Sequence, residues 1–320
     1  MNRALSRPIT CLPFPDELLK KLAEAGISTY QEVEKLLESI DNALFLSTSD
    51  KQCIQAYVEE RRRKNAVFHT AFDEKRFTQS IWKDIATGCQ GVDSVIGGGL
   101  KCGTVTEVCG RGATGKTQMC MLLCATVQRY NTLYSQSKAI FVDTENTFNA
   151  SRQKEYVDTI HNIYCTLENI FVYKPQSQQE FLDVIQQIPS FLKVHPDVRL
   201  IVIDSITYYL REMTDMLKRY EIITKLINQI SSVTIANHVA TLVTNHITSY
   251  TSDAPEAILN YQSVVQPMLG SIWWHSVTTQ LLLARTPQGA RLLSVKKSPF
   301  LECCTIPFTI IYSGFSTDSQ

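Results

Sequence analysis

The sequence predicts an α/β protein: a mostly parallel sheet flanked by helices, finished by C-terminal antiparallel strands and preceded by a small helical domain. Three observations predict it. A G-x-x-x-x-G-K-T stretch, Gly110 to Thr117 within CGRGATGKTQMC, falls between an apolar run and a helical pattern. From Gly88 onward, β-branched apolar runs alternate with segments of helical period. One of those runs, LIVIDS, closes on an acid, Asp204.

Each element follows in order. Pro15 and Asp16 open a helix that puts Leu18, Leu19 and Leu22 on one face, and Gly26 ends it. A second helix starts near Thr29 with Val33, Leu36 and Leu37 inward, and a third carries Ile54, Tyr57 and Val58. Residues 1–64 thus form a helical domain, a small bundle suited to docking or to DNA contact. Residues 65–84 read as a linker, and the sheet domain is expected over 85–320. The basic run Arg61 to Lys64 is either a solvated helix end or an import patch.

Strands are expected at 104–110, 138–145, 169–173, 198–206 and 239–247, and helices at 116–129, 149–161, 178–193 and 216–237. Runs such as VRLIVIDSI are continuously apolar, as in strands covered on both faces. Their alternation with helices implies parallel pairing through right-handed crossovers. After Trp274, the segments TTQLLLAR, ARLLSVKK and CTIPFTIIY read as an antiparallel meander.

Composition narrows the function classes. A chain of 320 residues with 44% hydrophobic and 19% charged content folds around a large core. Its 31 basic residues are balanced by 31 acidic ones, so nucleic acid must be held by local patches rather than by bulk charge. The ten cysteines include no C-x-x-C, and Cys120 and Cys124 fall on one helix face, a pattern of packed thiols in a reducing compartment. No apolar run reaches the roughly 18 residues of a membrane span. The N-terminus is broken by prolines and acid before a signal-peptide core forms. A cytosolic or nuclear protein without a membrane partner is expected.

Four stretches carry chemistry. In the first, the glycines Gly110, Gly112 and Gly115 let backbone N–H groups of Arg111, Ala113 and Thr114 curl around phosphate oxygens, and the helix beginning at Lys116, Thr117 and Gln118 adds its positive end. Lys116 is expected to reach the β- and γ-phosphates and Thr117 to ligate Mg²⁺. In the second, Asp204 at its strand end is placed to hold the same ion. In the third, IFVDTENTF, Asp143 and Glu145 stand two apart; Glu145 is the candidate that orients the attacking water, while Asp143 or Asn146 caps the next helix. In the fourth, LVTNHIT, Asn245 or His246 is positioned to sense the γ-phosphate. ATP with Mg²⁺ is therefore the expected ligand. No arginine-rich lid segment follows the Asp204 strand, which argues against a small-molecule kinase.

The ordered pieces GCQGVDSVIGGGLKCGTVTEVCGRGATGKTQ, FVDTENTF, LIVIDSI, LVTNHI and MLGSIWWHSVTTQLLL resemble the RecA/RadA recombinases, and more narrowly the eukaryotic Rad-fifty-one paralogues. The resemblance covers residues 85–312, with a weaker match before it. FPDELLKKLAEAGISTYQEV and the stretch from NIFVY to LIVIDSI are most similar to paralogue C, with paralogue B second. It implies a RecA-like P-loop ATPase core and a nuclear, ATP-dependent recombination mediator that hydrolyses ATP weakly in a DNA-dependent way. The implied partners are other paralogues, the strand-exchange recombinase and single-stranded DNA, in a hetero-oligomer. Arg152 would pack on the adenine, and Phe68 and Ala71 in FHTA would match the family's F-x-x-A oligomer interface. KKSPFL would cap a neighbour's ATP, with Lys297 near its γ-phosphate and Pro299 beside it.

Departures bear on that reading. The family's glutamine after T-N is His246, and its E-G-T-F is ENTF. The first DNA loop, within YYLREMTDMLKRY, keeps Arg211, Lys218 and Arg219. The second, about Thr248 to Gln266, has Asp253 and Glu256 but no basic residue, and none occurs between Lys225 and Arg285. Phosphate neutralisation supplies most non-specific affinity, so this stretch is a poor DNA clamp. Tyr250 and Tyr261 either stack on bases or pack internally. Self-sufficient strand exchange is not expected; the alternatives are a low-turnover ATP-binding scaffold and the strand-exchange recombinase itself.

Overall fold

A computed structural model describes residues Ile9, Leu12, 14–64, 84–130, 136–160, Asn162, 164–211, 213–249 and 265–317. They fall into two compact units, one drawn mainly from the chain before Asp84 and one holding the sheet. Phe68, Ala71, Tyr250 and Tyr261 lie outside the described residues, as does most of the second loop.

The first unit is helical. Helix α1 (Asp16–Glu24) buries Leu18, Leu19 and Leu22 and carries acids in its first turn, where they favour the helix dipole. Gly26, at φ 77°, turns the chain out of the helix in a conformation that side chains resist. Thr29 then caps α2 (Tyr30–Leu36) in a capping box: its hydroxyl takes the Glu32 N–H while the Glu32 carboxylate takes the Thr29 N–H at 2.9 Å. A 3₁₀ turn (Leu37–Asn42) leads to α3 (Thr48–Lys64). Val33, Ile54 and Val58 are fully buried with the α1 leucines, and the Phe14 and Tyr57 rings meet edge-on at 5.0 Å. Each such buried leucine contributes about 1.5–3 kcal/mol.

The second unit is a nine-stranded sheet in the order β11-β10-β9-β8-β1-β5-β4-β2-β3. Its strands are β1 (Val105–Gly110), β2 (Lys138–Asp143), β3 (Ile170–Tyr173), β4 (Val198–Asp204), β5 (Ala240–Asn245), β8 (Thr279–Arg285), β9 (Arg291–Lys297), β10 (Thr305–Ile311) and β11 (Gly314–Ser316). The six strands from β8 to β3 run parallel, and β9, β10 and β11 complete the expected antiparallel meander. A separate two-stranded ribbon joins β6 (Ile247–Ser249) to β7 (Val265–Pro267).

Period-two alternation decides which helix each strand residue meets. Phe141, Val202 and Leu242 pack with α5 (Lys116–Thr126), α6 (Ala150–Asp158) and the short α4 (Gln90–Val95). Ile140, Val142, Ile201 and Ile203 pack with α7 (Gln178–Val194), α8 (Met216–Asn237) and α9 (Gly270–Ser276). Both faces are covered, which is why these strands read as unbroken apolar runs. No described helix is long and apolar enough to cross a membrane.

Candidate nucleotide site

Parallel pairing brings the C-terminal ends of β1, β2, β4 and β5 to one edge of the sheet, where the strands release Gly110, Asp143, Asp204 and Asn245. In open α/β sheets this edge is the ligand crevice.

The glycine loop joins β1 to α5. Gly110 is required by a close approach: a Cβ there would sit 2.4 Å from the Leu283 carbonyl oxygen. Gly115 is required by its backbone, at φ 112°, and a Cβ would also press on Ile310 at 2.8 Å. Ala113 takes φ 60°, a left-handed conformation that costs a non-glycine residue about 1–2 kcal/mol. Arg111, Gly112 and Ala113 are exposed, Thr114 and Lys116 are buried, and Thr117 and Gln118 are half-buried. Lys116 Nζ donates to the Gly110 and Arg111 carbonyl oxygens, each at 2.9 Å. Burial lowers its pKa, while the charges of Asp204 and Glu145 oppose that shift.

Asp204 is 3% exposed, and its two oxygens are held from opposite sides. Thr117 Oγ1 donates to Oδ2 at 2.7 Å, and Thr244 Oγ1 donates to Oδ1. Burial pushes the Asp204 pKa up; the two hydroxyls pull it down, and the Glu145 and Asp143 charges raise it again. A hydroxyl and a carboxylate in contact, with surplus negative charge around them, form a hard-oxygen donor set that fits Mg²⁺.

Glu145 and His246 meet here. His246 Nε2 lies 2.7 Å from Glu145 Oε1, and Ser205 Oγ donates to the same oxygen. An ionised carboxylate only accepts, so this ring nitrogen carries the proton. The His246 bond holds the Glu145 pKa down to about 2 against the opposing effect of burial. Glu145 is therefore an anion throughout the physiological range, and Oε2 has no partner among the described residues.

The surrounding loop explains one departure and corrects one expectation. Asn146 sits at φ 57°, a conformation that asparagine tolerates and glycine adopts freely, so N for G in ENTF keeps the turn. Lys174 reaches it, donating to Asn146 Oδ1 at 2.8 Å, and lies 3.4 Å from Asp143. Neither Asp143 nor Asn146 caps α6. Asp143 accepts the Thr147 and Phe148 N–H groups in the preceding turn, and Asn149 is the cap, taking the Arg152 N–H at 3.0 Å.

The remaining expected residues divide. Arg152 lies 4.1 Å over the Tyr156 ring and donates to Gln118 Oε1 and to the Ile311 and Tyr312 carbonyls, which joins α5, α6 and the end of β10. Lys297 turns back onto its own chain: Nζ donates to the carbonyls of Trp274 at 2.5 Å and Val277 at 2.7 Å, at the C-terminal end of α9. Pro299 is exposed beyond it. Arg211 is exposed with its guanidinium over the Tyr208 ring, and Lys218 is exposed. Arg219 instead donates to the Met268 carbonyl at 2.9 Å, just after β7.

Ser205, Thr244 and Lys174 were not identified from the sequence. A hydroxyl directly after the strand-end acid was a readable signal for Ser205. Lys174 had none, because its partners lie on another strand.

Comparison with known proteins agrees with this fold. The Rad51 family model matches residues 79–318. The DNA repair protein RAD51 homolog 3 of Cricetulus griseus is 28% identical over 354 aligned positions, covering 97% of this chain and 92% of that protein. Its namesake from Dictyostelium discoideum is 29% identical over 255 positions, covering 72% and 65%. The meiotic recombination protein DMC1/LIM15 homolog of Mus musculus is 28% identical over 310 positions, covering 92% and 88%. The chain belongs to the Rad51 family.

Proposed function

We propose that this chain is an ATP-dependent homologous-recombination repair protein of the paralogue-C kind, a mediator that assembles with related subunits and supports the strand-exchange recombinase on single-stranded DNA in the nucleus. The observation that carries the reading is the convergence of Lys116, Thr117, Asp204, Glu145 and His246 at one strand-end crevice in a Rad51-family fold. Backbone N–H groups of the loop and Lys116 hold the phosphates, and the Thr117 hydroxyl and Asp204 hold Mg²⁺. When bound, Mg²⁺ would supply positive charge beside the phosphates, held by Thr117 and Asp204. Glu145, ionised and fixed by His246 and Ser205, aims its free oxygen at the attacking water. Arg152 flanks the adenine. Lys297, once released from the α9 carbonyls, and Pro299 meet a neighbouring subunit's nucleotide, and Phe68 and Ala71 enter the adjoining subunit. Arg211 and Lys218 supply the first-loop contacts to DNA.

Lys116→Ala tests the site: nucleotide affinity is expected to fall at least about tenfold, a loss of some 1.4 kcal/mol, with weaker assembly. Wild-type affinity in that variant rules the site out.

A second reading is supported by His246 in place of glutamine and by the cation-free stretch from Lys225 to Arg285. In it the chain is a scaffold that holds ATP and scarcely turns it over. Single-turnover hydrolysis with and without single-stranded DNA separates the two: DNA stimulation supports the mediator ATPase, and a persistent ATP occupant supports the scaffold.

A further inference from the structure

Glu107 lies in the middle of β1, wholly buried, in a strand that otherwise packs apolar or hydroxyl side chains. Three donors converge on its carboxylate. Asn245 Nδ2 reaches Oε1 at 2.6 Å, Trp273 Nε1 reaches Oε1 at 2.8 Å, and Gln280 Nε2 reaches Oε2 at 2.5 Å. Burial pushes its pKa up and the three donors pull it down, with the Lys297 charge acting in the same direction as the donors. Sheet packing alone gives no reason for this arrangement, because apolar side chains in place of the whole set, acid and donors together, are often as stable or more so.

Two of the three donors, Asn245 and Trp273, matter for where their elements lead. Asn245 is bonded to His246, which holds Glu145. Its other side-chain atom, Oδ1, is buried without a partner among the described residues, so Glu107 is the side-chain anchor of Asn245 there. Trp273 belongs to α9, whose C-terminal carbonyls grip Lys297 Nζ. Between these points the chain leaves at His246 and returns at Met268, whose N–H donates to the His246 carbonyl at 3.2 Å. One carboxylate thus stands at both ends of the stretch that separates the hydrolytic pair from the Lys297 helix.

We propose that Glu107 is a positioning residue of the nucleotide site, setting His246 against Glu145 through Asn245 and tying that contact through Trp273 to the helix end that holds Lys297. The proposal rests on the nucleotide reading above and deepens it.

The test uses the full chain in the complex with which it purifies. It compares wild type with Glu107→Gln, which keeps the shape and removes the charge, and with Trp273→Phe, which keeps the ring packing and removes one donor. Titration with a fluorescent ATP analogue is expected to give affinities within about twofold of wild type, while single-turnover hydrolysis falls about ten- to a hundredfold. Amide hydrogen exchange is expected to quicken at 246–249 and 265–269 and to stay unchanged in the glycine loop. If hydrolysis and exchange at 246–249 match wild type in both variants, the proposal is overturned. If affinity, hydrolysis and exchange throughout β1 all deteriorate together, Glu107 is only a packing residue and the proposal is also overturned. Should Glu107→Gln fail to fold, Trp273→Phe decides by the same two readouts. Should the wild type bind no nucleotide, the nucleotide reading falls, while the exchange comparison at 246–249 still decides for or against Glu107.

Discussion

At the scale of single residues, the consequences centre on Glu145. Its folded pKa is depressed to about 2, below the ordinary carboxylate value of about 4.3 in the unfolded chain. The unfolded state therefore binds the proton more readily. The stabilisation from this group is complete above about pH 4.3 and is lost as pH falls through about 2. The stability difference between wild type and Glu145→Gln should be largest near neutrality and shrink across that acidic window, measured by urea unfolding at stepped pH. The same variant should lower ATP turnover about a hundredfold, the usual scale for losing a general base. A difference that failed to shrink between about pH 4.3 and about 2 would contradict the depressed Glu145 pKa. The identities of Glu145 and His246 were legible as polar residues ending apolar strands. Their pairing was not, because 101 positions separate them and only the placement of β5 beyond β4 brings them together.

Among elements, legibility followed hydrogen-bond supply and length. Strands β1, β2, β4 and β5 were readable because their burial is all but continuous, and helices α6 to α8 because theirs recurs with helical period. The ribbon β6–β7 and the short helices α4 and α9 left no comparable trace. Pieces of three to seven residues gain little from their own ladders or turns and are settled by tertiary contacts, such as the Trp273 bond to Glu107. The cap of α6 was misassigned for a related reason: a run containing Asp143, Asn146 and Asn149 offers three capping side chains, and local sequence does not say which backbone N–H groups remain orphaned. In the helical unit, Thr29 is the clearest element-scale test. Thr29→Ala removes one arm of the capping box and should cost about 1 kcal/mol, seen as a lower thermal midpoint for that unit. An unchanged midpoint would mean that the Glu32 carboxylate alone secures the start of α2.

On the scale of the whole molecule, electrostatics bounds what the chain does with DNA by itself. The overall charge is balanced, and no cation lies between Lys225 and Arg285. Arg219, counted from sequence as a phosphate contact, spends a donor on the Met268 carbonyl. With Arg211 and Lys218 as the remaining first-loop cations, the logarithm of single-strand affinity should fall with the logarithm of salt at a slope of about −1.4, since each phosphate contact contributes about −0.7. A titration of the isolated chain against an oligonucleotide at several salt concentrations measures this. A slope near −5 would place a basic surface elsewhere in the molecule. The balance of charge was legible in composition alone; the diversion of Arg219 was not, because it depends on where β7 ends relative to α8.

One feature of the nucleotide domain reaches beyond the chemistry of ATP. The helix behind the glycine loop presents Met119, Cys120, Met121 and Cys124 to the interior, all but sealed from solvent. Loss of hydration pushes both thiols well above the ordinary cysteine range, so neither supplies the anion that electrophiles and peroxides attack. Among the described cysteines only Cys303 is exposed. Under oxidative stress, the sulfur layer that backs the phosphate loop is therefore shielded by its own protonation, and damage starts at the periphery unless α5 first comes away from the sheet.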